Sequence, residues 1–327
     1  MLSVEFETIP TIPTADELLE RALKRAAAAK KEKRNKVRAN EEFVRSVSKS
    51  LYDKLDDTVH RFPTFENLPV FYRDMTNILF SIDKLRKSLG ALTWAANRIR
   101  DVGNEYAWKI RSDPDDASNL RKAATGRMAS IMHQVEDDLL LLNNARDVLR
   151  KLPDIRDEFT VVVAGYPNVG KSSFIRLVSS ATPQVAGYAF TTKQVVVGHR
   201  DVGRERMQIV DTPGILDRPA EERNYIEHQA LAAITNVADI ILFIIDASEA
   251  CGYPVERQLA LLEEVRRVVG DVPVEVVVSK SDLAGMEGYM NMSTTTGEGI
   301  DEVVALLLRY MEASPRFPPA YIQEENQ

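Results

Sequence analysis

The chain of 327 residues contains one cysteine, Cys251, so it can form no intramolecular disulfide and no cysteine-built zinc site. Long apolar runs are also missing. Ile240–Ile245, a run that none exceeds, is far short of the ~20 residues that span a bilayer, so no membrane association is expected. The opening MLSVEFETIP carries two acids and no basic stretch, which argues against a secretory signal. The histidines His60, His133, His199 and His228 are dispersed, without metal-ligand spacing. No internal repeat is evident, and biased composition is confined to Ala26–Ala29. With 44% hydrophobic and 28% charged residues, the chain reads as a folded cytoplasmic protein, expected to be monomeric, of about two domains if a domain is roughly 150 residues.

The net charge of −7 conceals an asymmetry. Residues 1–158 hold 28 basic and 26 acidic side chains, and residues 159–327 hold 14 and 23. Nine basic residues and one acid fall in the segment 21–38, which reads either as a solvated helix face or as a phosphate-binding arm. The first half has helical periodicity. Thr14-Ala-Asp-Glu17 is a capping box. Phe43, Val44, Val47, Leu51, Leu55 and Val59 recur on one face of a helix expected over 41–60. A third helix is expected over 69–111, with a break near Gly90, and a fourth over 118–152. Short connections between them imply an antiparallel bundle, with Trp94, Trp108 and Tyr106 packed inside it. The domain layout expected is a helical bundle at 1–157, an α/β domain at 158–314 and a tail at 315–327.

The second half alternates β-rich runs with helical ones, the pattern of a mostly parallel sheet with helices on both faces. Strands are expected at 159–164, 194–198, 207–210, 239–246, 272–278 and 289–292, and helices at 171–179, 225–237, 254–269 and 300–311. Between the first strand and its helix lies Gly165-Tyr166-Pro167-Asn168-Val169-Gly170-Lys171-Ser172, which fits G-x-x-x-x-G-K-[ST] where a phosphate-binding loop must lie. Glycines let backbone N–H groups turn toward the α- and β-phosphates, and the helix that follows, with Ser173 in its first turn, presents its positive end. Lys171 is the residue to reach the β/γ oxygens, and Ser172 offers a hydroxyl to Mg²⁺. Asp211, at a strand end, is placed to hold that ion through water. It opens Asp211-Thr-Pro-Gly214, whose Gly214 N–H suits a γ-phosphate.

Two stretches bear on the base. Val276-Val-Val-Ser279-Lys280-Ser281-Asp282 puts a carboxylate just past a strand, where it can accept from N1–H and the exocyclic amine of guanine, donors that adenine does not present. Ser293-Thr294-Thr295 can offer an N–H to the guanine O6. G-proteins carry Asn-Lys-x-Asp and Ser-Ala-x at these places. Ser279 in place of Asn is expected to lose both a donor to the purine N7 and a brace to the phosphate loop, weakening guanine affinity.

Taken with Tyr188-Ala-Phe-Thr-Thr-Lys193, Asp211-Thr-Pro-Gly-Ile-Leu-Asp217 and Glu221-Glu-Arg-Asn224, the loop resembles those of Obg-related GTPases. Leu68-Pro-Val-Phe-Tyr-Arg-Asp74, Gly126-Arg-Met-Ala129 and Cys251-Gly-Tyr253 extend the resemblance over residues 15–313 and narrow it to the family of nucleolar GTP-binding protein 1 and its short archaeal counterparts. The resemblance implies a GTPase that cycles between GTP and GDP and assembles the large ribosomal subunit, with the helical domain against ribosomal RNA. It implies that Thr192, or else Thr191, is the switch threonine that meets Mg²⁺ and the γ-phosphate. It also implies that Asn168 can hold a K⁺ beside the phosphates, where a cation would do the work of an arginine finger. Ile215 follows Gly214 where Ras-like proteins carry a water-orienting glutamine, so intrinsic hydrolysis is expected to be slow. Two other functions compete: a GTP-binding signalling or membrane-surface module, and a scaffold that binds GTP without hydrolysing it. Against the membrane surface, only Leu23 accompanies the basic run as a large apolar residue.

Overall fold

The computed structural model describes residues 6–31, 35–180, 182–187, 194–211, 233 and 235–315. They fall into two compact units: residues through Asn67 together with Phe80–Arg150, and Leu68–Leu79 together with the chain from Lys151 onward. Beside the single boundary expected after residue 157, this grouping places a short helix from the first half with the second.

The first unit is all helical. In the capping box, the Glu17 N–H donates to Thr14 Oγ1 at 3.3 Å and the Thr14 N–H to Glu17 Oε2 at 3.3 Å, which starts α1 (Ala15–Lys31). Asn35 caps α2 (Lys36–Arg61), its side chain accepting from Val37 N and Arg38 N at 3.0 and 3.1 Å. The helix expected over 69–111 is two helices, α3 (Val70–Phe80), which belongs to the second unit, and α4 (Ile82–Ser112). The break is at Ser81, φ 60°, and not at Gly90. A single helical glycine costs only about 1 kcal/mol, which the buried face of a long helix outweighs. The helix expected over 118–152 is likewise two, α5 (Ala117–Gln134) and α6 (Glu136–Leu149). The acids Glu136, Asp137 and Asp138 complement the amino-terminal dipole of α6, and Glu136 Oε2 accepts from Ala15 N at 2.7 Å.

Close approach of α2 and α4 explains one glycine: a Cβ on Gly103 would stand 2.3 Å from Ser48 Oγ, which donates to Ile99 O at 3.0 Å. The core face of α4 includes Leu92, Ala95, Ala96, Ile99 and Tyr106, all buried. Tyr106 thus packs as expected, but Trp94 and Trp108 do not: they lie on the opposite face, 46% and 62% exposed. Residue type suggested burial; their position in the helical period sets the outcome.

The second unit is built on a seven-stranded sheet, β1 (Phe159–Ala164), β2 (Gln184–Gly187), β3 (Gln194–Val202), β4 (Glu205–Asp211), β5 (Ile240–Asp246), β6 (Val274–Ser279) and β7 (Met290–Asn291), in the order β2-β3-β4-β1-β5-β6-β7. From β4 to β7 the pairing is parallel, and β2 and β3 add an antiparallel edge. The helices here are α7 (Lys171–Val178), α8 (Val255–Val269) and α9 (Ile300–Ala313). β1 and β5 are buried along their whole length, as central parallel strands must be. The edge strand β2, with glutamine, alanine and glycine beside one valine, carries no strand signal and was not expected. The helix expected over 225–237 lies outside the described residues except at Ala233 and its last positions. Within this unit α3 is held by Tyr72, whose hydroxyl donates to Pro153 O at 2.9 Å, and by Asp74, which accepts from Asn236 Nδ2 at 3.1 Å.

Candidate functional site

The site forms where four parallel strands end together. At the C-terminal end of β1 the chain turns at Gly165, φ 133°, where a Cβ would stand 2.4 Å from the Ile244 carbonyl oxygen, so only glycine fits without moving β5. Asn168 sits at φ 62°, a left-handed conformation that asparagine tolerates better than most residues. The backbone therefore supplies a reason for asparagine besides cation binding. Gly170, φ 104°, leads into α7. Val169 and Tyr166 are buried, while Pro167 is half-buried and Ser173 exposed. Lys171, 7% exposed, donates from Nζ to the carbonyl oxygens of Gly165 at 2.8 Å and Tyr166 at 2.9 Å. The loop is thus curled around the ammonium.

Asp211 ends β4, in register with Val163 on β1. Its buried carboxylate accepts from the Ser172 hydroxyl at 2.6 Å. A hydroxyl and a carboxylate side by side, with no histidine or cysteine, are hard oxygen donors that fit Mg²⁺. Among the described residues no cluster of three acidic, histidine or cysteine side chains could hold a metal by itself, so any ion here would depend on ligand phosphates for further donors.

Beyond β6 the chain forms the candidate base pocket. Ser279 is buried, and its hydroxyl donates to Val169 O at 2.6 Å, with Ile245 O at 3.2 Å. This corrects the expectation from sequence: the serine keeps the brace to the phosphate loop, since its short side chain reaches the loop carbonyl directly. With its one proton engaged there, it offers no donor to a purine N7. Asp282 is exposed, and its Oδ1 accepts from the fully buried Ser293 hydroxyl at 2.5 Å. Ser293 Oγ in turn accepts from Thr295 N and Thr296 N, both at 3.2 Å. The Thr295 N–H is therefore engaged, and Thr294 is the better placed of the two threonines to meet a base oxygen. Ser279 Cβ and Thr294 Oγ1 each stand 4.0 Å from where a Cβ on Gly170 would be, so the phosphate and base loops adjoin.

Two residues of this site were missed in the sequence. Asp246, at the end of β5, is fully buried and accepts from Lys280 Nζ at 2.6 Å, Cys251 N at 2.7 Å and the Ser248 N–H and hydroxyl at 3.0 and 2.5 Å. The only signal for it was an acid closing an apolar strand. The second is Tyr253, whose ring lies 4.2 Å from that of Tyr166 in the phosphate loop. Burial alone would push the Asp246 carboxyl up, but Lys280, Ser248 and the Cys251 N–H outweigh it and hold the group below the ordinary carboxylate range. A lowered folded-state value contributes stability above the unfolded pKa, lost as pH falls through the folded one. Asp246→Asn is therefore expected to cost about 1–3 kcal/mol at neutral pH. In urea unfolding the difference from the natural protein should shrink as the pH drops below the carboxylate range, whereas a difference independent of pH would contradict the ion pair. Burial likewise pushes the Cys251 thiol up, so it stays protonated and is no nucleophile. Thr191, Thr192, Gly214 and Ile215 lie outside the described residues, as do Tyr188–Lys193 and Glu221–Asn224.

Comparison with known proteins gives concordant results. A family model described as the NOG1 N-terminal helical domain matches residues 6–156, and one described as nucleolar GTP-binding protein 1 matches residues 225–282. An uncharacterized protein of Methanocaldococcus jannaschii is 42% identical over 292 residues, 86% of this chain and 82% of that relative. Nucleolar GTP-binding protein 1 of Eremothecium gossypii is 34% identical over 86% of this chain and 46% of its own, and that of Saccharomyces cerevisiae 32% over 92% and 48%. The chain thus spans about half the length of these eukaryotic relatives. A crystal structure carrying the same name, from Plasmodium falciparum, is similar at 31% identity and a TM-score of 0.44, over 50% of this chain and 91% of that one.

Proposed function

The chain belongs to the nucleolar GTP-binding protein 1 family, and from that premise we propose that it binds GTP with Mg²⁺, hydrolyses it to GDP and phosphate, and acts as a nucleotide-switched assembly factor for the large ribosomal subunit. The observation that carries this reading is the placement of three groups across the C-terminal ends of the parallel strands: the Ser172–Asp211 pair at β4, Lys171 in the phosphate loop after β1, and Asp282, held by Ser293, beyond β6. Across the strand order β4-β1-β5-β6 the metal pair, the phosphate loop and the base pocket follow one another, as the ion, the phosphates and the base do along a magnesium-bound nucleotide.

In this reading Lys171 turns from the Gly165 and Tyr166 carbonyls toward the β/γ oxygens. Gly165 to Ser173 wrap the phosphates, and Ser172 and Asp211 would hold an Mg²⁺, which would supply positive charge to the phosphate oxygens. Asp282 accepts from the two guanine donors, and Thr294 meets O6. Thr192, in preference to Thr191, and Gly214 respond to the γ-phosphate, and releasing them on hydrolysis is the switch. Asn168 is assigned a K⁺ beside the phosphates. The helical unit contacts ribosomal RNA in the precursor particle. The protein works as a cytoplasmic monomer with ribosomal proteins and RNA as partners. No helix among the described residues is long and apolar enough to cross a membrane.

Phosphate release tests the enzymatic part. GTP should turn over slowly and ATP not at all, with a faster rate in potassium than in sodium. Asn168→Gly, which keeps the left-handed backbone of the loop and removes the carboxamide, should remove the potassium advantage while leaving GTP binding within a few-fold. Absence of phosphate release under every condition, with GTP still bound, would favour a binding-only scaffold.

A further inference from the structure

The chain has two tryptophans, and both are exposed on one helix. Trp94 and Trp108 are fourteen residues apart on α4. At 100° per residue they lie about 40° apart around the axis, and at 1.5 Å per residue about 21 Å apart along it. They share one stripe with Lys87, Gly90, Arg98, Asp101, Glu105 and Lys109. A lone exposed aromatic would need no explanation. Leaving both of the largest apolar side chains in solvent, in line, sacrifices burial that a folding core would use.

The surroundings indicate what covers them. In a chain whose net charge is −7, and apart from Asp113, Asp115 and Asp116 in the turn that joins them, α4 and α5 carry ten lysines and arginines against three acids. All three acids are paired: Asp83 with Arg86 at 3.3 Å, Asp101 with Arg98 at 3.9 Å, and Glu105 with Lys109 at 2.6 Å and Arg127 at 4.0 Å. Lys84, Lys87, Arg100 and Lys122 on the same helix pair are exposed, and Arg111, also exposed, is paired with Glu41 at 3.5 Å. A protein-binding patch would surround its tryptophans with apolar residues and exclude charge from its centre. Here the residues between the tryptophans are charged or small. Separate aromatic platforms in a basic field suit a strand whose bases are unpaired, each tryptophan stacking on a base while the cations meet phosphates.

We propose that this face of α4 is a docking surface for unpaired RNA, with Trp94 and Trp108 as two base-stacking platforms. At about 3.4 Å per stacked base they would engage nucleotides roughly six positions apart, fewer on an extended strand. The proposal deepens the reading of the chain as a ribosome-assembly factor and names the face and the chemistry of the contact.

Because no other tryptophan is present, tryptophan emission of the full chain, excited at wavelengths where its ten tyrosines do not absorb, reports on this face alone. Titration with a short single-stranded oligoadenylate should quench the emission, and duplex RNA of equal length should quench it much less. Trp94→Ala and Trp108→Ala should each weaken oligoadenylate binding about tenfold, while Trp→Phe at either position retains most of it. Equal binding by the alanine variants, or no quenching by RNA, would overturn the proposal. So would quenching by RNA-free ribosomal proteins in place of RNA, which would make the face a protein-binding one. Sedimentation separates this from the broader reading. A double alanine variant that joins large-subunit particles as well as the natural protein removes the surface and leaves the assembly role. A natural protein that joins no particle removes the assembly role, whatever the oligoadenylate result.

Discussion

Lys171→Ala is expected to weaken both GTP and GDP binding by at least about a hundredfold, since two charge-assisted hydrogen bonds at ~1.5–3 kcal/mol each are at stake. In the structure these bonds go to the Gly165 and Tyr166 carbonyls at 2.8 and 2.9 Å, and phosphate oxygens would compete for the same ammonium. The alanine also leaves two loop carbonyls without their donor, so the loop loses preorganisation as well as charge. The fold should survive, because β1 and α7 are packed through Val161–Ala164, Phe174 and Ile175, all fully buried. Calorimetric titration of the variant, with circular dichroism as the control for folding, checks this. Affinity within threefold of the natural protein would show that the loop does not meet the phosphates.

The second large effect concerns the base. Asp282→Asn is expected to weaken GTP binding by about a hundredfold and to create affinity for xanthosine triphosphate. The geometry explains the exchange. Ser293 donates to Asp282 Oδ1 at 2.5 Å, so a substituted amide would keep its oxygen there and turn its NH₂ toward the base. Guanine meets that NH₂ with an N–H and an amine, two donors facing a donor, and leaving such groups unpaired costs ~1–3 kcal/mol. Xanthine carries an oxygen at the same carbon and can accept. Competition between labelled GTP and either triphosphate reads the result. Unchanged GTP affinity, or a loss without the gain in xanthosine triphosphate, would mean that Asp282 is a turn residue only.

Much of this site was legible because its chemistry is local in sequence. The phosphate loop needs glycines at fixed offsets from a strand end, and Gly165 and Gly170 both adopt positive φ there. β1 was expected over 159–164 and is found there, its three valines forming a central parallel strand. Contacts distant in sequence were not legible. The Ser279 hydroxyl reaches a carbonyl of a residue 110 positions away, and nothing in Val-Val-Val-Ser279 announces it. Asp246 closes an apolar strand, and nothing beside it in sequence announces that Lys280, 34 positions on, binds it. The helix breaks at Ser81 and Val135 lack proline, so periodicity ran through them. Trp94 and Trp108 depart from the sequence expectation for a different reason. Hydrophobicity ranks tryptophan as a core residue, but the helical period places both opposite Leu92 and Ile99.

The most direct measurement of the central claim is sedimentation of the full chain with ribosomal particles in a gradient, with a non-hydrolysable GTP analogue or with GDP. The account predicts migration with large-subunit precursors in the presence of the analogue and release in the presence of GDP, with Lys171→Ala indifferent to either. Equal distribution in the two nucleotide states would contradict the switch, and a protein that stays at the top of the gradient in both, with immature particles present, would contradict the assembly role itself.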